Sequence, residues 1–196
     1  VIPAALLLIY AAQCFWFIGT QSLTVDEPGH VAAGLAMWRH GRFVILNDQP
    51  PLARLIFSAP LAAFTDTKVD NIHERLFSVD PSLAWWTRPP IVLLGIFLGI
   101  ALWFAAREWL SESAANFALA LFAFSPALIA HFSLATMDGS AALTVFVVVF
   151  QLARWRKHPD VKQTALLAVA LGLMLMSKFY APPLFLLALY LVTLNT

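Results

Sequence analysis

The sequence predicts an all-α polytopic membrane protein, and three observations carry that prediction. Apolar residues make up 61% of the 196-residue chain and charged residues only 12%, about half the charged share of a soluble domain. The apolar residues gather in runs close to the ~20 that a helix needs to cross a hydrocarbon core about 30 Å thick. Most of the charges fall between those runs. A net charge of only +1 gives no electrostatic footing for nucleic acid as a partner. The single cysteine, Cys14, lies inside the first run, so neither a disulfide within the chain nor a cysteine metal cluster is available.

Six runs qualify as spans: 2–18, 90–106, 114–130, 139–153, 164–177 and 181–194. The first lacks the basic flank and small-residue cleavage site of a signal peptide and is read as a span. The last three are short. The fifth and sixth are parted only by Lys178, Phe179 and Tyr180, and they fit an interrupted hairpin inside a bundle equally well. A start at Val1 and a stop at Thr196 straight after an apolar run read as the N-terminal part of a longer transmembrane domain, 1–196.

Orientation follows from Arg154–Gln163, the one short loop dense in Lys and Arg, since such loops stay cytoplasmic. Parity then puts 107–113 inside, and 19–89, the turn 131–138 and the break at Lys178 outside. The outer loop 19–89 is too long for a plain connection, and loops of that length tend to be functional. Its two helical pieces open at prolines, Pro28 and Pro50, residues suited to a first helical turn. The second piece, 50–64, is apolar enough to lie in the membrane interface, and Trp85 and Trp86 suit the aromatic belt.

Within this frame the charged residues stand out. Asp26 and Glu27 are adjacent, and like charges side by side raise each other's cost of ionisation. Asp26 fits an N-cap for the helix opening at Pro28; the other reading is that the pair faces positive charge or water. Asp138, the only acid between Glu112 and Asp160, sits at the mouth of the fourth span as a cap or a functional carboxylate. Lys178 interrupts an uncharged stretch and either snorkels to the headgroups or serves a site. All three positions fall on the outer face. His30 follows Asp26 by four residues and Glu27 by three, a spacing that only weakly suggests a metal. His131 reads as interfacial. Arg54 and Arg88 are snorkelling candidates that could equally meet a lipid phosphate.

Four stretches, "DEPGH", "DQPPLAR", "AFSPALIAHFSLATMDGSAAL" and "GLMLMSKFYAPPL", resemble the family 39 glycosyltransferases when taken in order. These are relatives of the protein O-mannosyltransferases and the aminoarabinose transferase of lipid A, within the GT-C superfamily. The resemblance implies a GT-C-like bundle with interfacial helices in the long first outer loop. It implies transfer of a sugar from a polyprenyl-phosphate carrier to a protein, lipid or glycan acceptor on the periplasmic or lumenal side, in a bacterial inner membrane. Carried over by position, Asp26 matches the catalytic aspartate with Glu27 its companion, Asp138 the second-loop aspartate, and Lys178 a lysine near the carrier phosphate. Asp48 falls where members carry an acid. Gln49 departs from the Lys or His often found there, which shifts the expected phosphate contacts to Arg54, Arg88 and Lys178.

The expected step is a single displacement with inversion. Asp26 acts as base, Asp138 orients the acceptor or shares the base role, and fixed positive charge from Lys178 and one or both of Arg54 and Arg88 meets the leaving phosphate. No cofactor is required by this scheme, and a divalent cation between carboxylates stays an open alternative. The rival class is a transporter or lipid-handling protein with a charged outer cavity beside a broken helix.

Overall fold

The computed structural model describes residues 1–41, 43, 49–67 and 82–179, with 183, 185–187, 190 and 193. Among these residues there are nine helices and no strand, so the expected all-α class holds. They are α1 (Ile2–Thr20), α2 (Glu27–His40), α3 (Leu52–Phe64), α4 (Ser82–Thr87), α5 (Pro89–Trp109), α6 (Glu112–Ala123), α7 (Pro126–Phe132), α8 (Met137–Lys157) and α9 (Val161–Leu175). Among the described residues three stretches are long and apolar enough to cross a membrane: α1, the run Ser82–Trp109, and α8. The stretch expected as a last span, 181–194, lies largely outside the described residues.

The stretch expected as one span over 114–130 is two helices, α6 and α7, bent by 64° at their junction. The cause is local. Pro126 disfavours helical backbone at the residue before it, and Ser125 instead caps α7, its hydroxyl accepting from Leu128 N–H. The bend leaves the Ala123 carbonyl without a helical donor, and Gln13 Nε2 of α1 donates to it at 3.0 Å. In a lipid-facing bundle such a carbonyl has to be satisfied by protein.

Helix α5 is the centre of packing, touching α1, α6 and α8. Its Ile91 and Val92 are buried with Tyr10 and Cys14 of α1, Leu119 and Phe122 of α6, and Phe132 of α7. Small residues make this approach possible: a Cβ added at Gly95 would lie 2.3 Å from the Tyr10 hydroxyl. A smaller apolar cluster joins α8 to α9 through Val148, Leu152, Trp155, Leu167 and Met174.

The two ends of the bundle differ. At one, Arg154 Nη1 of α8 lies 3.8 Å from Glu108 Oε2 of α5, which brings the 107–113 loop beside the basic 154–163 loop. At the other, the Ala135 N–H donates to Glu27 Oε1 at 2.8 Å and the Leu52 N–H to the Met176 carbonyl at 3.0 Å. The first long loop therefore meets both the 131–138 turn and the end of α9. Helices α2 and α3 pack so closely that a Cβ at Gly34 would lie 2.3 Å from the Arg54 carbonyl oxygen.

That contact is with backbone, which cannot rotate away as a side chain can. Gly34→Ala is therefore expected to separate α2 from α3 and to destabilise the protein by about 1–3 kcal/mol, in the range of overpacked cores. A thermal melt in detergent checks it, and an unchanged midpoint would contradict the contact.

Candidate functional site

The end of the bundle where the loops meet is organised by Glu27 and Arg88, both with 0% of the side chain exposed. The Arg88 Nε donates to Glu27 Oε1 and its Nη2 to Oε2, each at 2.8 Å. The same guanidinium donates to the carbonyls of Gln21 at 3.0 Å and Ser22 at 2.7 Å. Glu27 also accepts from the N–H of Thr24 at 2.7 Å and that of Ala135 at 2.8 Å. Burial by itself would raise the Glu27 carboxyl; Arg88 and the two N–H donors overcome it and hold the group below the ordinary carboxylate range.

The expectation that Asp26 and Glu27 share one cationic, water-lined pocket is corrected by this geometry. Successive helical positions are turned by about 100°, so two adjacent acids at a helix start point different ways. Glu27 is buried and committed to Arg88, while Asp26 is exposed. Asp26 occupies the N-cap position of α2 but makes no side-chain capping hydrogen bond. Arg88 is likewise engaged inward and is not open to a phosphate.

Arg54 of α3 is also fully buried. Its Nη2 lies 3.2 Å from His30 Nδ1 and its Nη1 donates to the Gln49 carbonyl at 3.5 Å. A guanidinium only donates, so Nδ1 of His30 is the acceptor and the ring proton sits on Nε2. His30 therefore belongs to an α2–α3 contact with Arg54, and it forms no metal cluster with Asp26 and Glu27: no group of three or more His, Cys, Asp or Glu able to hold a metal occurs among the described residues. Asp48 lies outside the described residues.

Asp138 and Lys178 come together from separate elements. Asp138 stands in the first turn of α8, whose N-cap is Thr136, so the capping reading does not account for it. Its Oδ1 accepts from Lys178 Nζ, just beyond α9. Lys178 is held there by its neighbours: Ser177 Oγ accepts from Thr144 Oγ1 of α8 at 3.1 Å. The second oxygen of the same carboxylate, Oδ2, lies 3.4 Å from His131 Nδ1. Sequence reasoning set His131 aside as interfacial. The available signal was that His131 and Asp138 flank one short turn, which returns the chain between α7 and α8.

Four sequence blocks are thus linked at one end of the bundle. Glu27 binds the 131–138 turn, Arg54 binds His30, Leu52 binds the end of α9, and Asp138 binds Lys178. Apolar helices long enough to span a membrane, with the Glu27–Arg88 and Asp138–Lys178 pairs at one end, define an integral membrane protein with a polar cluster at one end of its bundle. Residues 74–196 match the dolichyl-phosphate-mannose-protein mannosyltransferase family, and the chain belongs to it. Membership makes it a glycosyltransferase of the GT-C type, mannosyltransferase-like. The matched stretch includes Arg88, Asp138 and Lys178, whereas Asp26, Glu27, His30 and Arg54 precede it. No curated protein and no solved structure matches the chain.

Removing one partner of a buried ion pair strands the other, at a cost of about 3–5 kcal/mol. Glu27→Ala and Arg88→Ala are each expected to lose that much stability, and the double variant less than their sum, in a denaturation-based double-mutant cycle. The pH dependence has a definite sign. Because the Glu27 carboxyl is lowered in the folded protein, its contribution is complete above the unfolded value of about 4.3. It is lost as pH falls through the lower folded value. An acid-unfolding curve of Glu27→Gln lacking this component relative to wild type is the expected result.

Proposed function

We propose that the protein transfers a sugar from a polyprenyl-phosphate carrier to an acceptor hydroxyl at the outer face of a membrane, by one inverting displacement. The observation that carries this reading is the pairing of Asp138 with Lys178 at the end of the bundle where the first loop is anchored. Asp26 remains exposed beside that anchor. In the proposed step the acceptor oxygen attacks C1 of the sugar and its proton passes to Asp26. The C1–O bond to the carrier breaks, and its electron pair leaves with the phosphate.

The roles follow from the chemistry. An alcohol needs a base within hydrogen-bond reach, and Asp26 has a carboxylate not spent on a cap. Phosphate is a good leaving group and needs only fixed positive charge where negative charge develops. Lys178 supplies it. Asp138 keeps that ammonium oriented and offers the acceptor a second carboxylate. Glu27 and Arg88 are scaffold in this scheme, and Arg54 positions His30 and the start of α3.

An apolar crevice of about 260 Å³ between α5, α8 and α9, lined by Phe97, Ala101, Leu143, Thr144, Val147 and Leu173 among others, supports a lipid-linked donor. Its Thr144 is bonded to Ser177, the residue before Lys178. An isoprenoid chain in that crevice would have its phosphate carried toward the ammonium. The basic loop 154–163, expected on the cytoplasmic side, stands at the opposite end, which supports an outer-facing site.

The test uses protein expressed from its whole gene, radiolabelled polyprenyl-phosphate sugars and membranes of the producing cells as acceptor. Asp26→Asn is expected to lower transfer by about 10²–10⁴-fold, the usual contribution of a general base, with donor binding retained. Undiminished transfer by Asp26→Asn would remove the assigned base, and failure of every polyprenyl-phosphate sugar would remove the donor class.

A further inference from the structure

The positive charge available to a phosphate at this site is less than the sequence suggests. Arg88 is consumed by Glu27 and two carbonyls, Arg54 is buried against His30, and position 49 carries no charge. Among the described residues, what remains beside Lys178 is His131. Its Nδ1 lies 3.4 Å from Asp138 Oδ2, while Lys178 holds Oδ1 of the same carboxylate. The His131 side chain is 56% exposed and that of Lys178 30%, so both are within reach of a ligand.

Resting on the transfer reading above, we infer that His131 is the second cation of the carrier-phosphate site, held beside Lys178 by the shared Asp138 carboxylate. The charge arithmetic makes this consequential. With a neutral imidazole, Lys178 and Asp138 cancel and the trio presents no net charge to a phosphate. With a protonated imidazole the trio carries one net positive charge, and Asp138 keeps the two cations together instead of letting them repel. As the bond to the sugar breaks, the phosphate gains negative charge, and an imidazolium beside it stabilises that charge.

No other charged group competes for His131 among the described residues of the helices packed against α7. Helix α1 has only the buried Tyr10 and Cys14 as titratable groups. The charges of α5 and α6, namely Arg107, Glu108 and Glu112, lie at the far end of the bundle, as do Arg154, Arg156 and Lys157 of α8. Glu27 and Arg88, which reach the 131–138 turn through Ala135, neutralise each other. Among the described residues, the charged group that faces the ring is therefore Asp138, with Lys178 on its other oxygen.

The experiment measures the Kd of dolichyl-phosphate mannose, whose diester phosphate keeps one charge throughout, for protein from the whole gene in phosphatidylcholine nanodiscs. The range is about pH 5.5 to 8, where histidine charge changes. Wild type is expected to bind about threefold or more tightly at the acid end, an exposed ion pair's worth. His131→Gln is expected to bind weakly at both ends and His131→Lys tightly at both. A wild-type pH response retained in His131→Gln, or weak alkaline binding in His131→Lys, overturns the inference. So does a response seen only when phosphatidylglycerol is added, which would assign the ring to bulk headgroups. A Kd weakened by Lys178→Ala but indifferent to His131→Gln removes this inference alone. A Kd unchanged by Lys178→Ala removes the carrier-phosphate site and the transfer reading with it.

Discussion

The carboxylate of Glu27 and the guanidinium of Arg88 lie together with no exposure to solvent, in a chain where charge is scarce. Taking each ion out of water costs several kcal/mol, and mutual attraction repays that only with near-ideal geometry and the remaining polar atoms satisfied. Here the pairing is bidentate, and both oxygens of Glu27 also accept backbone N–H groups. The two groups come from opposite ends of the long loop. One opens α2 and the other precedes α5, so the pair closes the loop on itself. The Ala135 N–H extends the closure to the turn before α8. A buried charge of this kind tolerates one arrangement of three chain segments and penalises slippage among them.

A second backbone contact registers the loop against α9. Leu52 is the first residue of α3, where N–H groups have no partner within the helix, and Met176 is the C-cap of α9, where carbonyls are in the same position. Their 3.0 Å hydrogen bond lets each satisfy the other, and it sets the positive end of one helix against the negative end of another. The register of Lys178, two residues beyond Met176, is thereby coupled to the loop that carries Asp26. Asp138 completes the circuit, since it binds Lys178 and follows the turn that Glu27 holds.

The spans α1, α5 and α8 were legible because twenty-residue apolar runs have few alternatives, and the proline-opened helices α2 and α3 were legible from turn chemistry. The break in 114–130 was written in Ser125–Pro126, but hydropathy averages over such a signal. The charged residues at this end of the bundle stood out in the sequence, but which of them pair did not. Asp26 and Glu27 look equivalent in one dimension, yet a single helical step separates an exposed carboxylate from a buried one. Arg54 and Arg88 look like surface cations until their burial is known. His131 and Asp138 flank one short turn, but whether they meet depends on how sharply the chain turns between α7 and α8, which the spacing alone does not tell.

In the proposed reaction the contrast between the neighbouring acids, one exposed and one buried, has a physical logic that their adjacency alone hides. A carboxylate meant to accept a proton has to stay wet and free of a permanent cation, whereas one meant to hold a fold has to be saturated with donors. Placing both on one residue would compromise each role. Placing them on consecutive residues at a helix start lets the saturated one fix the backbone from which the free one projects. Under the proposed transfer reaction the rigidity at Glu27 serves the freedom of Asp26: a base at that position needs no cap, salt bridge or packing of its own to be held in place, because its neighbour has anchored the chain.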